Sequence, residues 1–327
     1  MPQSAIRNVV GLPPWLPFPL SRWNWWTEPV RAERLSALRI GVGLVVLIDA
    51  LVHYLPQAGD FFGANSLGSA EVFSHGFQTR YRWTILGGFE EPAWSNVFLI
   101  VWAIAAICLT VGLWARLSAL ICWIISLSVI GANWYIHNSG DNVRSIELLY
   151  LMLAPCAAAW SLAGRRKSGE VVAGGKVYVP AWPLRVLFIQ MMIIYFFNGF
   201  YKLLGQDWRA GNVMYYVMAN LAWTRVSYAQ FPLPPLFTQV LSWTVLTWEL
   251  GFPALVCMPS TRKITLWMGV AFHIGTAIFL PLGPFPWYMI CLYLPLVPWE
   301  KYIDSKRVKT RRNESPAPQS AIVKPVS

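Results

Sequence analysis

Lys202 closes an aromatic run, Phe196-Phe197-Asn198-Gly199-Phe200-Tyr201, and is followed by Gly205, Gln206, Asp207, Trp208 and Gly211. A lysine among aromatic rings loses hydration, which favours the neutral amine, and a neutral amine can act as a general base near neutral pH. The competing reading is an interfacial anchor whose ammonium reaches water along its own methylene stem. Two histidines could share the acid-base work. His273 sits in an apolar stretch and is otherwise a hydrogen-bonded core residue; His137, in Tyr135-Ile136-His137-Asn138-Ser139-Gly140-Asp141, is otherwise a turn residue. Tyr195, Asn198, Tyr201, Asp207 and Trp208 are candidate walls of a pocket around the amine. Asp207 decides much of this reading: turned toward Lys202 it would keep the amine charged, and turned away it would leave it free.

Other ionisable residues interrupt apolar segments: Arg39, Asp49, His53, Arg144, Glu147 and Glu249. A charge at the bilayer centre costs at least ~2.5 kcal/mol on insertion scales, so each needs a partner, a cavity or a function. Asp49 and His53 are four apart and share a helix face that should point into a bundle. Arg144 and Glu147, three apart, suggest a structural salt bridge near the interface, and Arg39 could meet Glu249 at a similar depth. The five cysteines, Cys108, Cys122, Cys156, Cys257 and Cys291, lie in apolar runs without a short-range pair and read as small buried hydrophobes. With no CxxC, HExxH, nucleophile elbow or Gly-rich phosphate loop, no metal site is expected.

The elements that must hold these residues are membrane helices. Only 13% of the 327 residues are charged, about half the ~25% of soluble domains, and mean hydropathy is +0.46. Eight segments are apolar enough to cross or nearly cross a bilayer: 35–54, 94–114, 117–136, 145–163, 183–203, 235–257, 264–282 and a short one, 284–298. Pro281, Pro284 and Pro286 interrupt the last two, which therefore read as a hairpin of short helices or as one span plus a re-entrant piece. Residues 1–34, with Trp15, Trp23, Trp25 and Trp26 beside Arg22, Arg31 and Arg34, read as an amphipathic segment on the cytoplasmic surface, and 300–327 as a basic, disordered cytoplasmic tail. With both ends cytoplasmic, nineteen Lys and Arg lie inside and six outside, which is the bias expected of inner loops. The formal net charge of +11 thus reports topology and anionic lipid, with no nucleic acid.

Four stretches resemble one known group. Arg39, Gly43 and Asp49 form an Arg-x3-Gly-x5-Asp pattern; Gly112-Leu113-x-x-Arg116-Leu117-Ser118 follows; then come Ile194-Tyr195-Phe196 through Gly199 with Lys202-Leu203, Asp207-Trp208 and Gly211; and finally Phe272-His273 with the Pro-rich run to Pro298-Trp299. In this order they are similar to the membrane domain of vitamin K-dependent gamma-glutamyl carboxylases and their bacterial relatives, the HTTM (horizontally transferred transmembrane domain) family, over 35–299. The resemblance implies an all-α integral membrane bundle of about eight spans. It also implies that Lys202 deprotonates reduced vitamin K or a menaquinone-type quinone, so that oxygenation drives removal of a glutamate γ proton and capture of CO2. Two departures stand out: Gly140 falls nearest a histidine that the carboxylases use, with His137 three residues earlier, and only 28 residues follow Trp299, too few for the carboxylases' large substrate-holding domain.

The enzyme reading competes with a non-catalytic membrane protein that assists maturation or export of a small secreted protein or toxin, and with a transporter, for which no internal repeat is present. Besides the lipid bilayer of the cell membrane, the implied partners are a small secreted peptide or a separate periplasmic or extracellular protein. The division of basic residues makes a direct prediction: residue-specific labelling should find Arg165 and Lys306 inside and Arg80 and Asp207 outside. Labelling of Asp207 from the cytoplasmic side alone would overturn the orientation.

Overall fold

A computed structural model describes residues 23–62, 66, 84–85, 92–162, 171–173, 176–226, 228–229 and 231–304. The amino-terminal residues up to Arg22, the loop arginines Arg80 and Arg82, the cluster Arg165-Arg166-Lys167 and the basic tail from 305 lie outside the described residues. In chain order the elements are α1 (Trp23–Thr27), β1 (Pro29–Arg31), α2 (Glu33–Ile48), α3 (Ala58–Phe61), α4 (Pro92–Val111), α5 (Ala115–Ala132), α6 (Ser139–Leu153), β2 (Val171–Ala173), β3 (Lys176–Pro180), α7 (Trp182–Leu204), α8 (Gln206–Ala210), α9 (Val213–Ala219), α10 (Pro235–Cys257), α11 (Pro259–Phe279) and α12 (Phe285–Cys291). Among the described residues, five helical stretches are long and apolar enough to cross a membrane: Glu33–Phe61, Trp94–Val111, Ala115–Ala132, Trp182–Leu204 and Pro235–Cys257.

Local chemistry explains where the elements depart from the sequence-based spans. The first does not stop at 54. A π-helical turn, Asp49–Tyr54, and a 3-10 turn, Leu55–Gln57, carry it past Pro56 into α3. The fourth begins earlier than 145, at Ser139, because Asn138 and Asp141 form a reciprocal capping box, and it ends at Leu153, two residues before Pro155. The final proline-rich region is one 21-residue helix, α11, followed by the short α12 and a 3-10 turn, Leu294–Leu296. The chain is also not purely helical: β1, β3 and β2 form a small antiparallel sheet in that order, pairing Val30 with Val179 and Val172 with Val177.

Packing divides the helices into two groups joined by α12. Helices α2, α4, α5 and α6 pack on one another, as do α7, α10 and α11; α12 packs against α2 and α6 on one side and α11 on the other. The sheet shares one face with the segments around Glu28 and Asp304, tied by ion pairs of Arg31 with Glu33 (2.6 Å) and Asp304 (3.2 Å), of Lys176 with Asp304 (2.7 Å), of Arg34 with Glu300 (2.6 Å) and of Arg185 with Glu28. Slight burial alone would raise the Asp304 carboxyl, but the hydrogen bonds from Lys176 and Arg31 hold it below its ordinary value.

Two buried arginines hold the first group together by different means. Among the described residues Arg39 meets no carboxylate: its guanidinium donates to the carbonyls of Leu109 (2.6 Å) and Thr110 (2.5 Å) at the end of α4 and to those of Cys156 (3.0 Å) and Trp160 (2.5 Å). The last carbonyls of a helix lack intrahelical donors and carry partial negative charge, so they suit a cation. Gly112, at φ +80°, turns the chain there; a Cβ on it would come within 2.9 Å of Arg39 Nη1. The Arg39–Glu249 pairing suggested by depth is therefore replaced by a helix cap.

Arg144 is fully buried, with Nη1 2.7 Å from Asp49 Oδ2 and Nη2 2.7 Å from Asp141 Oδ1, and its guanidinium lies 5.0 Å from the centre of the Trp102 ring. Tyr288 on α12 donates to Asp49 at 3.1 Å and Tyr54 to Asp141 at 3.4 Å. The expected Arg144–Glu147 bridge is absent; Glu147 is buried, and neither of its oxygens has a hydrogen-bond partner among the described residues. Three residues along a helix is close enough for contact, but the interhelical carboxylate of Asp49 takes the guanidinium instead. His53 shares Asp49 with it, at 3.1 Å, and stands half exposed rather than inside the bundle.

Removing one partner of a buried pair strands the other charge, at a cost of about 3–5 kcal/mol. Asp49→Leu should therefore lose about that much stability on unfolding in detergent, and Asp49→Asn less. Wild-type stability of the Leu variant would show that Arg144 does not depend on this contact.

Candidate functional site

Lys202 is placed by the close crossing of α7 and α10. A Cβ on Gly199 would meet the backbone nitrogen of Leu250 at 2.7 Å and the carbonyl carbon of Glu249 at 3.0 Å, so only glycine lets the helices approach this far. One turn later, Lys202 Nζ reaches Glu249 at 2.5 and 2.6 Å from its two carboxylate oxygens. The Glu249 side chain is nearly buried, that of Lys202 is 23% exposed, and the ammonium lies 4.9 Å from the Trp208 ring centre. Burial by aromatic and apolar walls strengthens the attraction of such a pair while withdrawing both ions from water.

The pair opens on a cavity of about 620 Å³, within the ~300–1,000 Å³ range of small-molecule sites. Its lining is overwhelmingly apolar, drawn from α7, α9, α10, α11 and α12 and including Val217, Phe237, Leu241, Phe272 and Met289. Helix α9 turns Val213, Met214, Val217 and Met218 toward it, and the segment is moored to α10 by Met214 N donating to Ser242 Oγ at 3.0 Å and by Trp243 Nε1 donating to the Arg209 carbonyl at 3.0 Å. The residues with polar groups on this wall are few: Lys202, Glu249, Asn198, His273, Thr276, Tyr195 and Trp208. Tyr195 and His273 are hydrogen-bonded through Oη and Nε2 at 2.6 Å, and Tyr293 adds a second contact to Tyr195 at 2.6 Å.

A family model, the HTTM domain, matches residues 27–298. The chain belongs to the HTTM family. No curated protein and no solved structure matches it. In this HTTM protein, Lys202, His273, Tyr195, Asn198 and Trp208 come together on one cavity. His137 does not join them; it lies 3.4 Å from Asn142 in the turn before α6. Tyr201 and Asp207 are exposed and outside the lining, so the carboxylate that meets Lys202 comes from another helix, 47 residues along. Arg39, Asp49, Arg144 and Glu147 are buried in the other helix group, where Asp49 and Arg144 form the structural network.

Sequence reasoning missed Glu249 as the lysine's partner, along with Tyr293 and the α9 wall. One signal was available for Glu249: a lone carboxylate in an apolar run must find a cation. Which cation it would be depended on the helix crossing at Gly199. Gly199→Ala should therefore force α7 and α10 apart, lowering stability by about 1–3 kcal/mol and loosening the Lys202–Glu249 contact. Unfolding curves together with a Lys202–Glu249 double-mutant cycle measured in the Ala background would check it, and an undiminished coupling would show that the crossing does not set the pair.

Proposed function

We propose that this HTTM protein is a gamma-glutamyl carboxylase-like membrane enzyme that works on a reduced quinone in the apolar cavity, with Lys202 as its base. What carries the reading is the convergence of Lys202, Glu249, His273 and Tyr195 on a single apolar chamber of about 620 Å³. The residues fit such a ligand. Apolar walls suit a fused ring and isoprenoid tail, and the few hydrogen-bonding groups on them suit its oxygens.

A carboxylate this close to Lys202 favours the charged amine, so the base depends on its occupant to become neutral. When an apolar occupant excludes water, the ammonium can pass a proton to the Glu249 oxygen 2.5 Å away, which removes two opposed charges from a desolvated site and leaves the amine lone pair free. Lys202 Nζ then accepts a hydroxyl proton from the ligand. When bound, a reduced quinone of vitamin K or menaquinone type would supply the oxygen chemistry that drives removal of a γ proton from a glutamate, whose carbanion captures CO2. The glutamate belongs, in this proposal, to a small secreted peptide or a separate periplasmic or extracellular protein. The accompanying topology has about eight crossings of the cell membrane, both chain ends in the cytoplasm, and the cavity toward the outer leaflet.

The closeness of the ion pair also supports a second reading, in which Lys202 and Glu249 only bind two helices together and the protein assists maturation or export of a secreted partner without catalysis. Arginine separates the two. It can keep an ion pair with Glu249 but stays protonated and cannot act as a base. With reduced menaquinone in membranes, oxygen uptake should fall about 10²- to 10⁴-fold in Lys202→Ala and nearly as far in Lys202→Arg. Equal uptake by wild type and Lys202→Ala would end the catalytic proposal, and retention of export activity by Lys202→Arg would favour the second reading.

A further inference from the structure

Beside the ion pair runs a chain of neutral groups, Tyr293, Tyr195 and His273, all at most 5% exposed, of which Tyr195 and His273 belong to the cavity wall. Tyr195 Oη is 2.6 Å from Tyr293 Oη and 2.6 Å from His273 Nε2. With no carboxylate bonded to it, an imidazole so buried is neutral and carries one hydrogen. The three hydrogens can be arranged in three ways, each of which leaves one hydrogen without an acceptor among the described residues; in one of them Tyr195 accepts from both neighbours and its own hydrogen is the one left over. If Nε2 carries the imidazole hydrogen and donates to Tyr195, and Tyr195 donates to Tyr293, the Tyr293 hydroxyl hydrogen has no acceptor among the described residues. In the other direction Tyr293 donates to Tyr195 and Tyr195 donates to Nε2, so both hydroxyl hydrogens are used. The imidazole hydrogen then sits on Nδ1. That atom is buried, has no hydrogen-bond partner among the described residues, and belongs to a residue of the cavity wall. A buried N–H without an acceptor costs about 1–3 kcal/mol, which an oxygen brought by an occupant would offset.

We propose that the Tyr293–Tyr195 chain holds His273 in the tautomer with its hydrogen on Nδ1, and that this N–H is the donor that binds a carbonyl, ether or phenolic oxygen of an apolar ligand. Both halves rest on the cavity being a ligand site, as the proposed function requires, because an acceptor brought there is what favours leaving the unmet hydrogen on Nδ1. His273 is then a positioning group, distinct from the Lys202–Glu249 pair. It discriminates between apolar molecules of the same shape that do and do not carry an oxygen acceptor.

The test uses the full-length protein in nanodiscs with ¹⁵N-labelled histidine, the His273 resonance being the one missing from His273→Gln among the four histidines of the chain. In the wild type that resonance should report hydrogen on Nδ1, and Tyr195→Phe, which removes the donor to Nε2, should mix the tautomers. Hydrogen on Nε2 in the wild type would overturn the assignment. Adding 2,3-dimethyl-1,4-naphthoquinone should shift the Nδ1–H signal, while 2,3-dimethylnaphthalene, the same skeleton without oxygens, should not. The quinone should bind about two- to tenfold more weakly to His273→Gln, as loss of one net hydrogen bond implies, with the hydrocarbon unaffected. An Nδ1–H that ignores the quinone, or equal quinone affinity for the variant, would overturn the donor role. A failed oxygen-uptake assay leaves the tautomer signal untouched, so this inference and the enzyme reading can fail separately.

Discussion

A charge withdrawn from water into an apolar bundle has to be met by opposite charge or by backbone dipoles, and the helices here lie where those meetings are possible. Arg144, with no exposed surface, stands between Asp49 and Asp141 and is faced by the Trp102 ring. Each contact comes from a different constraint. Asp141 sits in the first turn of α6, where it also completes the capping box, whereas Asp49 opens the π-helical turn that interrupts the first span. A π turn shifts the register of the residues that follow it, and such turns often occur where a side chain has a specific task. Arg39 shows the alternative. It is satisfied by carbonyls at the end of α4 and in the irregular segment after α6, so the stretch broken by Pro155 serves as its ligand.

The short α12 joins these solutions. Its Tyr288 reaches the Asp49 network of the first helix group, and Tyr293 just beyond it reaches Tyr195 in the second. Five residues apart, the two tyrosines would lie about 140° around the axis even of a continuous helix, and so on different faces. Broken after Cys291 by a turn, the chain can direct one hydroxyl to each group. The two networks nevertheless differ in kind. The Arg144 cluster is enclosed and its charges are matched by ion pairs, although Arg144 Nε has no hydrogen-bond partner among the described residues. The Lys202 and His273 residues border open space, and Nδ1 of His273 is left without a partner among the described residues. Buried polar groups are ordinarily satisfied, so an unmatched one on a cavity wall is where a ligand is expected.

Much of this was determined by the sequence alone, because it follows from local composition. The scarcity of charge required a membrane protein, and Pro235–Cys257 and Trp182–Leu204 are helices to within a residue or so of where apolar length put them. The HTTM family was legible in short motifs around Arg39, Gly112, Lys202 and His273. Lys202 stood out because a lysine inside an aromatic run is costly wherever the helix packs. What only the tertiary structure decided was pairing. Neighbours in sequence suggested Arg144 with Glu147 and Lys202 with Asp207, yet Arg144 meets Asp49, 95 residues away, together with Asp141 on the other side of it in the chain, and Lys202 meets Glu249, 47 residues away. Spacing along one helix says which residues can touch, but the energy of a buried ion is set by the whole surface packed around it. That surface depends on helix crossings such as the one Gly199 permits, and no local pattern encodes which helix will cross there.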